Sequence, residues 1–114
     1  MTSNINIEVT LDDEKMPSEI KFTAPGGGIN DPHKVKAMLL GLWDGEEKSA
    51  LRIDLWTEKM TISEMSDFYY QTFFGMADTY LRATKNTALS NDLKAFAKTF
   101  LQKAGEELVE DIKN

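Results

Sequence analysis

Apolar and polar residues alternate strictly through residues 5–11, where Ile5, Ile7, Val9 and Leu11 stand against Asn6, Glu8 and Thr10. From residue 62 onward apolar residues recur at helical spacing instead. A chain carrying both periods must form strands and helices, and must bury one face of each. The alternation resumes at 19–24, with Ile20, Phe22 and Ala24 opposed to Glu19, Lys21 and Thr23. The polar segment between, Asp12 to Pro17, suits a hairpin connection, so these two strands are predicted to pair antiparallel. Residues 49–57 carry a third strand, with Leu51, Ile53 and Leu55 on one face and Arg52, Asp54 and Trp56 on the other.

Helix signals fall between and after these strands. Gly26, Gly27 and Gly28 break the chain, and Asp31 before Pro32 offers an N-cap with proline at the first helical position. Val35, Met38, Leu39, Leu42 and Trp43 then predict a short helix over 32–43, with Gly45 as its stop. Thr61 and Glu64 have the spacing of a capping box, flanked by Met60 and Met65 as a hydrophobic staple, and open a helix over 62–84. Asn86 marks a turn, and Ser90 is predicted to cap a last helix reaching about 112. Its stripe comprises Leu93, Phe96, Ala97, Phe100, Leu101, Ala104, Leu108 and Ile112. The expected architecture is one α+β domain over residues 1–114. A three-stranded sheet, the N-terminal antiparallel hairpin plus the third strand, is covered on one face by the short helix and two long helices. The place of the third strand in the sheet is left open.

Composition removes several function classes. At 114 residues the chain matches one core, and 41% hydrophobic with 28% charged residues is ordinary for a globular protein. Without cysteine there is no disulfide framework, thiolate metal site or cysteine nucleophile, and one histidine is too few for a typical zinc site. A net charge of −6 lacks the basic footprint of nucleic-acid binding and is repelled by anionic lipid. No apolar run is long enough to insert into a membrane, and the N-terminus has no signal-peptide pattern, so a cytoplasmic location is predicted.

No catalytic, cofactor-binding or metal-ligating residue is predicted. Gly26–Gly28 lacks the lysine and hydroxyl residues of a phosphate loop, and Asp31 would repel phosphate. Asp12, Asp13 and Glu14 lack the ligand spacing of a calcium loop and read as a solvated hairpin tip. His33 has no partner nucleophile or carboxylate and reads as a surface residue. Two sets of residues are candidates for interaction. In the long helix Met65, Tyr69, Phe73, Met76 and Tyr80 form an apolar face that Tyr70, Phe74 and Leu81 extend around the side, with Phe68 at its opposite edge and an Asp78–Arg82 pair at i, i+4. Burial of that arc inside the fold and exposure of Tyr70 and Phe74 to a partner or second copy are both open. Arg52, Asp54 and Trp56 sit on the polar strand face, where Trp and Arg match interface hot spots; the competing reading is cross-strand packing on an aliphatic neighbour such as Lys21.

The stretch Leu51-Arg52-Ile53-Asp54-Leu55-Trp56-Thr57, followed by Met60 and Glu64-Met65, resembles the gliding-motility GldC proteins of Bacteroidetes. The N-terminal hairpin, the glycine connector, Lys36-Ala37-Met38, Trp43-Asp44, Met76-Ala77-Asp78-Thr79 and Arg82-Ala83-Thr84 agree in order, so the resemblance spans nearly the whole chain. It implies a soluble, non-enzymatic accessory component of the gliding apparatus with no catalytic residues to transfer. The expected function is therefore protein–protein contact with the gliding machinery, with a homodimer possible. The alternatives are a small-ligand binder or enzyme using a pocket between sheet and helices, and a holdase-like chaperone.

Overall fold

The structure, a computed structural model, describes residues 1–113 and the side chains of residues 1–107. It forms two compact units, Met1–Met60 and the remainder from Thr61. Strands build the first and helices the second.

In the first unit β1 (Asn6–Leu11), β2 (Pro17–Ala24) and β3 (Ile29–Val35) form an antiparallel sheet in that order. The β1–β2 turn is closed by Asp12, whose carboxylate accepts the N–H groups of Glu14 and Met16, both at 2.9 Å. Pairing of Ile7 with Phe22, Val9 with Ile20, and Ile20 with Val35 gathers the apolar positions on one face, with Ile20 at its buried centre. On the other face Glu19 meets Lys21 at 3.1 Å and Lys34 at 3.3 Å. The Lys21 hydrogen bond, then that of Lys34, holds the Glu19 carboxyl below its ordinary pKa. The glycine connector is a tight turn: a 3-10 turn over Pro25–Gly27 ends at Gly28, which adopts φ +86° and donates its N–H to the Pro25 carbonyl. That left-handed conformation is one that glycine adopts without a Cβ clash.

The predicted short helix over 32–43 does not form. His33 lies in β3 beside Phe22, ring centroids 5.7 Å apart, and the following residues make β4 (Ala37–Asp44). This strand pairs along its whole length with β5 (Ser49–Trp56) in a second, two-stranded antiparallel sheet. A second correction follows: the third strand of the first sheet is β3, and the strand read at 49–57 belongs to the other sheet. The physical reason is that Val35, Met38, Leu39, Leu42 and Trp43 belong to a nearly continuous apolar run, which satisfies helical spacing and strand alternation alike. Gly41 weakens a helix, and an eight-residue partner lies one short loop away. Gly45 is accordingly part of a hairpin loop. Asp44 accepts the N–H groups of Glu46 and Glu47 there, and Lys48 takes the left-handed conformation at φ 52°.

In the second unit α1 (Ile62–Thr84) and α2 (Thr87–Lys113) form a helical hairpin. The capping box forms as predicted: the Glu64 N–H donates to the Thr61 hydroxyl at 3.0 Å, and the Thr61 N–H to the Glu64 carboxylate at 3.2 Å. Helix α1 ends at Lys85, whose N–H reaches the Leu81 carbonyl. Ser90 does not cap α2. The Asn86 side chain accepts the Leu89 N–H at 3.0 Å and takes that role, four residues before Ser90. Ser90 is instead buried, donating its hydroxyl across the hairpin to the Ala77 carbonyl at 2.8 Å. Ala77 and Ala97 are fully buried, and Tyr69, Phe73, Phe96 and Phe100 make one aromatic cluster with centroids 5.4–6.3 Å apart. The stripe positions Leu108 and Ile112 have side chains outside the described residues.

Candidate functional site

The β4–β5 hairpin presents two unlike faces. Pairing of Met38 with Leu55, Leu40 with Ile53, and Leu42 with Leu51 makes one of them apolar, with the polar pair of Asp44 and Ser49 only at its hairpin-loop end. The opposite face carries Trp56 across from Ala37, Asp54 across from Leu39, Arg52 across from Gly41 and Trp43 across from Ala50. Alternation alone places Arg52, Asp54 and Trp56 together, and the structure does so. Trp43 joins them, a residue that the helix reading assigned elsewhere. Its signal in the sequence is its position in the apolar run, once that run is treated as a strand.

Local chemistry shapes this mixed face. The guanidinium of Arg52 lies along the sheet and donates to both carboxylate oxygens of Asp54, from Nε at 3.0 Å and Nη2 at 2.8 Å. Gly41 gives it room, since a Cβ there would stand 3.1 Å from Arg52 Nη1. A bidentate pair of this kind fixes the orientation of both groups more than it stabilises the fold, because both are largely exposed. The two indoles flank it, with Trp43 69% and Trp56 55% exposed. Trp43 and Trp56 are set about 20 Å apart by the rise of the intervening strand residues. Lys21 belongs to the other sheet, bonded to Glu19, so the proposed packing of Trp56 on Lys21 is replaced by a pairing with Ala37.

The second candidate pair, Tyr70 and Phe74, is half-buried on α1 with ring centroids 4.9 Å apart. Lys94 of α2 stands 5.7 Å over the Phe74 ring and bonds Asp78 at 2.8 Å. Asp78 thus takes Lys94 across the hairpin, while Arg82 donates to the Thr79 hydroxyl. Phe74 thus contacts α2 through Lys94, while Tyr70 packs on Phe74 within α1. A groove of about 380 Å³ opens beside the aromatic cluster between Ser66, Phe96, Phe100 and Lys103. Among the described residues no three His, Asp or Glu side chains are placed to share a metal ion, and no helix is long and apolar enough to cross a membrane.

No curated protein and no solved structure matches the chain. The family model described as gliding motility-associated protein GldC-like matches residues 17–106, a span that runs from the start of β2 well into α2. The chain belongs to the GldC-like family of gliding motility-associated proteins.

Proposed function

We propose that the protein is a cytoplasmic, non-catalytic accessory component of the bacterial gliding apparatus and works through protein–protein contacts. The mixed face of the β4–β5 hairpin is the surface for those contacts. The observation that carries the reading is the exposure of Trp43 and Trp56 on either side of the pre-oriented Arg52–Asp54 pair. Tryptophan and arginine are the residues whose truncation most often costs binding energy at interfaces. Two such anchors on a regular strand pair lose little side-chain entropy on binding, compared with anchors on a mobile loop.

The test is capture from lysate of the native gliding cell, with bound proteins identified, comparing wild type with Trp56→Ala. Recovery of gliding-machinery proteins by wild type and their loss with a folded Trp56→Ala variant is the expected result. Removal of a central aromatic anchor costs about 2 kcal/mol or more, about thirtyfold in affinity. Equal recovery by both forms would remove the contact from this face.

A further inference from the structure

The two sheets treat their open edges differently. In the first sheet Pro32 and Lys34 lie on edge strand β3, and both ladders contain a register irregularity. Proline, lysine and bulges are the usual devices against edge-to-edge pairing. The β4–β5 ladder runs through all eight pairs without an irregularity, and neither strand contains a proline or a lysine. Among the described residues, β5 has β4 as its only strand partner. A two-stranded sheet is also below the size that is stable alone in water.

The sequence of β5 fits its own copy. Antiparallel self-pairing must keep odd positions opposite odd positions, or aliphatic side chains would face the polar side. If the two-fold axis passes at Arg52 or at Asp54, like charges meet directly. If it passes at Ile53, Arg52 of each copy stands opposite Asp54 of the other, Leu51 opposite Leu55, and Ala50 opposite Trp56. The charge order about Ile53 continues to invert beyond the strand, where Lys48 corresponds to Glu58 and Glu47 to Lys59. This pairing brings Leu51, 52% exposed, against Leu55, and Ile53, 50% exposed, against its own copy.

We propose that two copies of this chain join through the outer edges of β5, antiparallel and centred on Ile53, into one four-stranded sheet. The pairing does not depend on the partner contact proposed above, because its readout is mass rather than capture. In the single chain Arg52 closes on Asp54 of its own strand; in the pair each carboxylate also meets a guanidinium across the new ladder. The sheet then carries Met38, Leu40, Leu42, Leu51, Ile53 and Leu55 of both copies on one face and four tryptophans on the other.

The test is sedimentation velocity of the full chain from about 1 to 500 µM, a range that spans weak, small interfaces. Wild type should shift from monomer to dimer. Arg52→Asp alone and Asp54→Arg alone each oppose like charges twice, and each should weaken the dimer at least about tenfold. An equimolar mixture of the two variants should dimerise again, since every opposed pair is then complementary. A wild type that stays monomeric overturns the proposal, as do single variants that dimerise like wild type, or folded variants whose mixture stays monomeric. Should either variant lose its strand signal in circular dichroism, cysteine cross-linking decides. The chain has no cysteine of its own. Ile53→Cys, opposite its own copy, should oxidise to a disulfide dimer at least about tenfold faster than Leu51→Cys, because self-opposed Cα atoms fall within disulfide reach and those two residues away do not. Equal rates overturn the register.

Discussion

The buried hydroxyl of Ser90 provides a sharp test of how closely α1 and α2 approach. Ser90→Ala deletes the hydroxyl that donates to the Ala77 carbonyl at 2.8 Å. That carbonyl lies inside α1 and still accepts the Leu81 N–H four residues on, so no acceptor is orphaned. The loss is therefore one net hydrogen bond, about 1 kcal/mol. Ser90→Val deletes the same bond and also places two methyl groups where the site is closed and its neighbours Ala77 and Ala97 are already fully buried. Overpacking adds about 1–3 kcal/mol, so the valine variant should lose about 2–4 kcal/mol. Urea unfolding followed by the helical circular dichroism signal measures both. With a slope of about 1–2 kcal/mol per molar, Ser90→Ala should lower the midpoint by about 0.5–1 M. A valine variant no less stable than the alanine one would refute the close approach, and a cost-free alanine would refute the hydrogen bond.

Two further outcomes follow from the same kind of accounting. Thr61→Ala removes the hydroxyl acceptor of the capping box and should cost the helical unit about 1 kcal/mol, read from the same unfolding curves, whereas Thr61→Ser should cost far less. Glu19, held below its ordinary pKa by Lys21 and then Lys34, binds a proton less readily folded than unfolded, so its contribution to stability is complete above the unfolded glutamate range. It is lost as pH falls through the lower folded value. Glu19→Gln should thus be slightly less stable than wild type at neutral pH, with the gap closing in acid and narrowing in high salt, as followed by thermal unfolding of the strand signal.

The parts of the fold that could be read from sequence are those whose residues name their own partner face. Strands β1, β2 and β5 alternate polar against apolar, and α1 opens with a capping box, so each was assignable from a window shorter than itself. Residues 35–44 were not, because Val35, Ala37, Met38, Leu39, Leu40, Leu42 and Trp43 are apolar on both possible periods. What decides for strand is β5, whose register with β4 is a non-local fact. The same ambiguity hid Trp43 from the mixed face while leaving Arg52, Asp54 and Trp56 visible. Asn86 and Ser90 are both good caps by residue type, and the choice between them depends on burial against Ala77.

The principal contacts of this chain join elements that follow one another in sequence: β1 with β2, β2 with β3, β4 with β5, and α1 with α2. Each closure spans a short turn, so little loop entropy is lost before native contacts form. Low contact order of this kind goes with folding in milliseconds or less for mixed domains. It also fits vectorial synthesis, in which each hairpin can close soon after its second arm emerges, without waiting for the C-terminus.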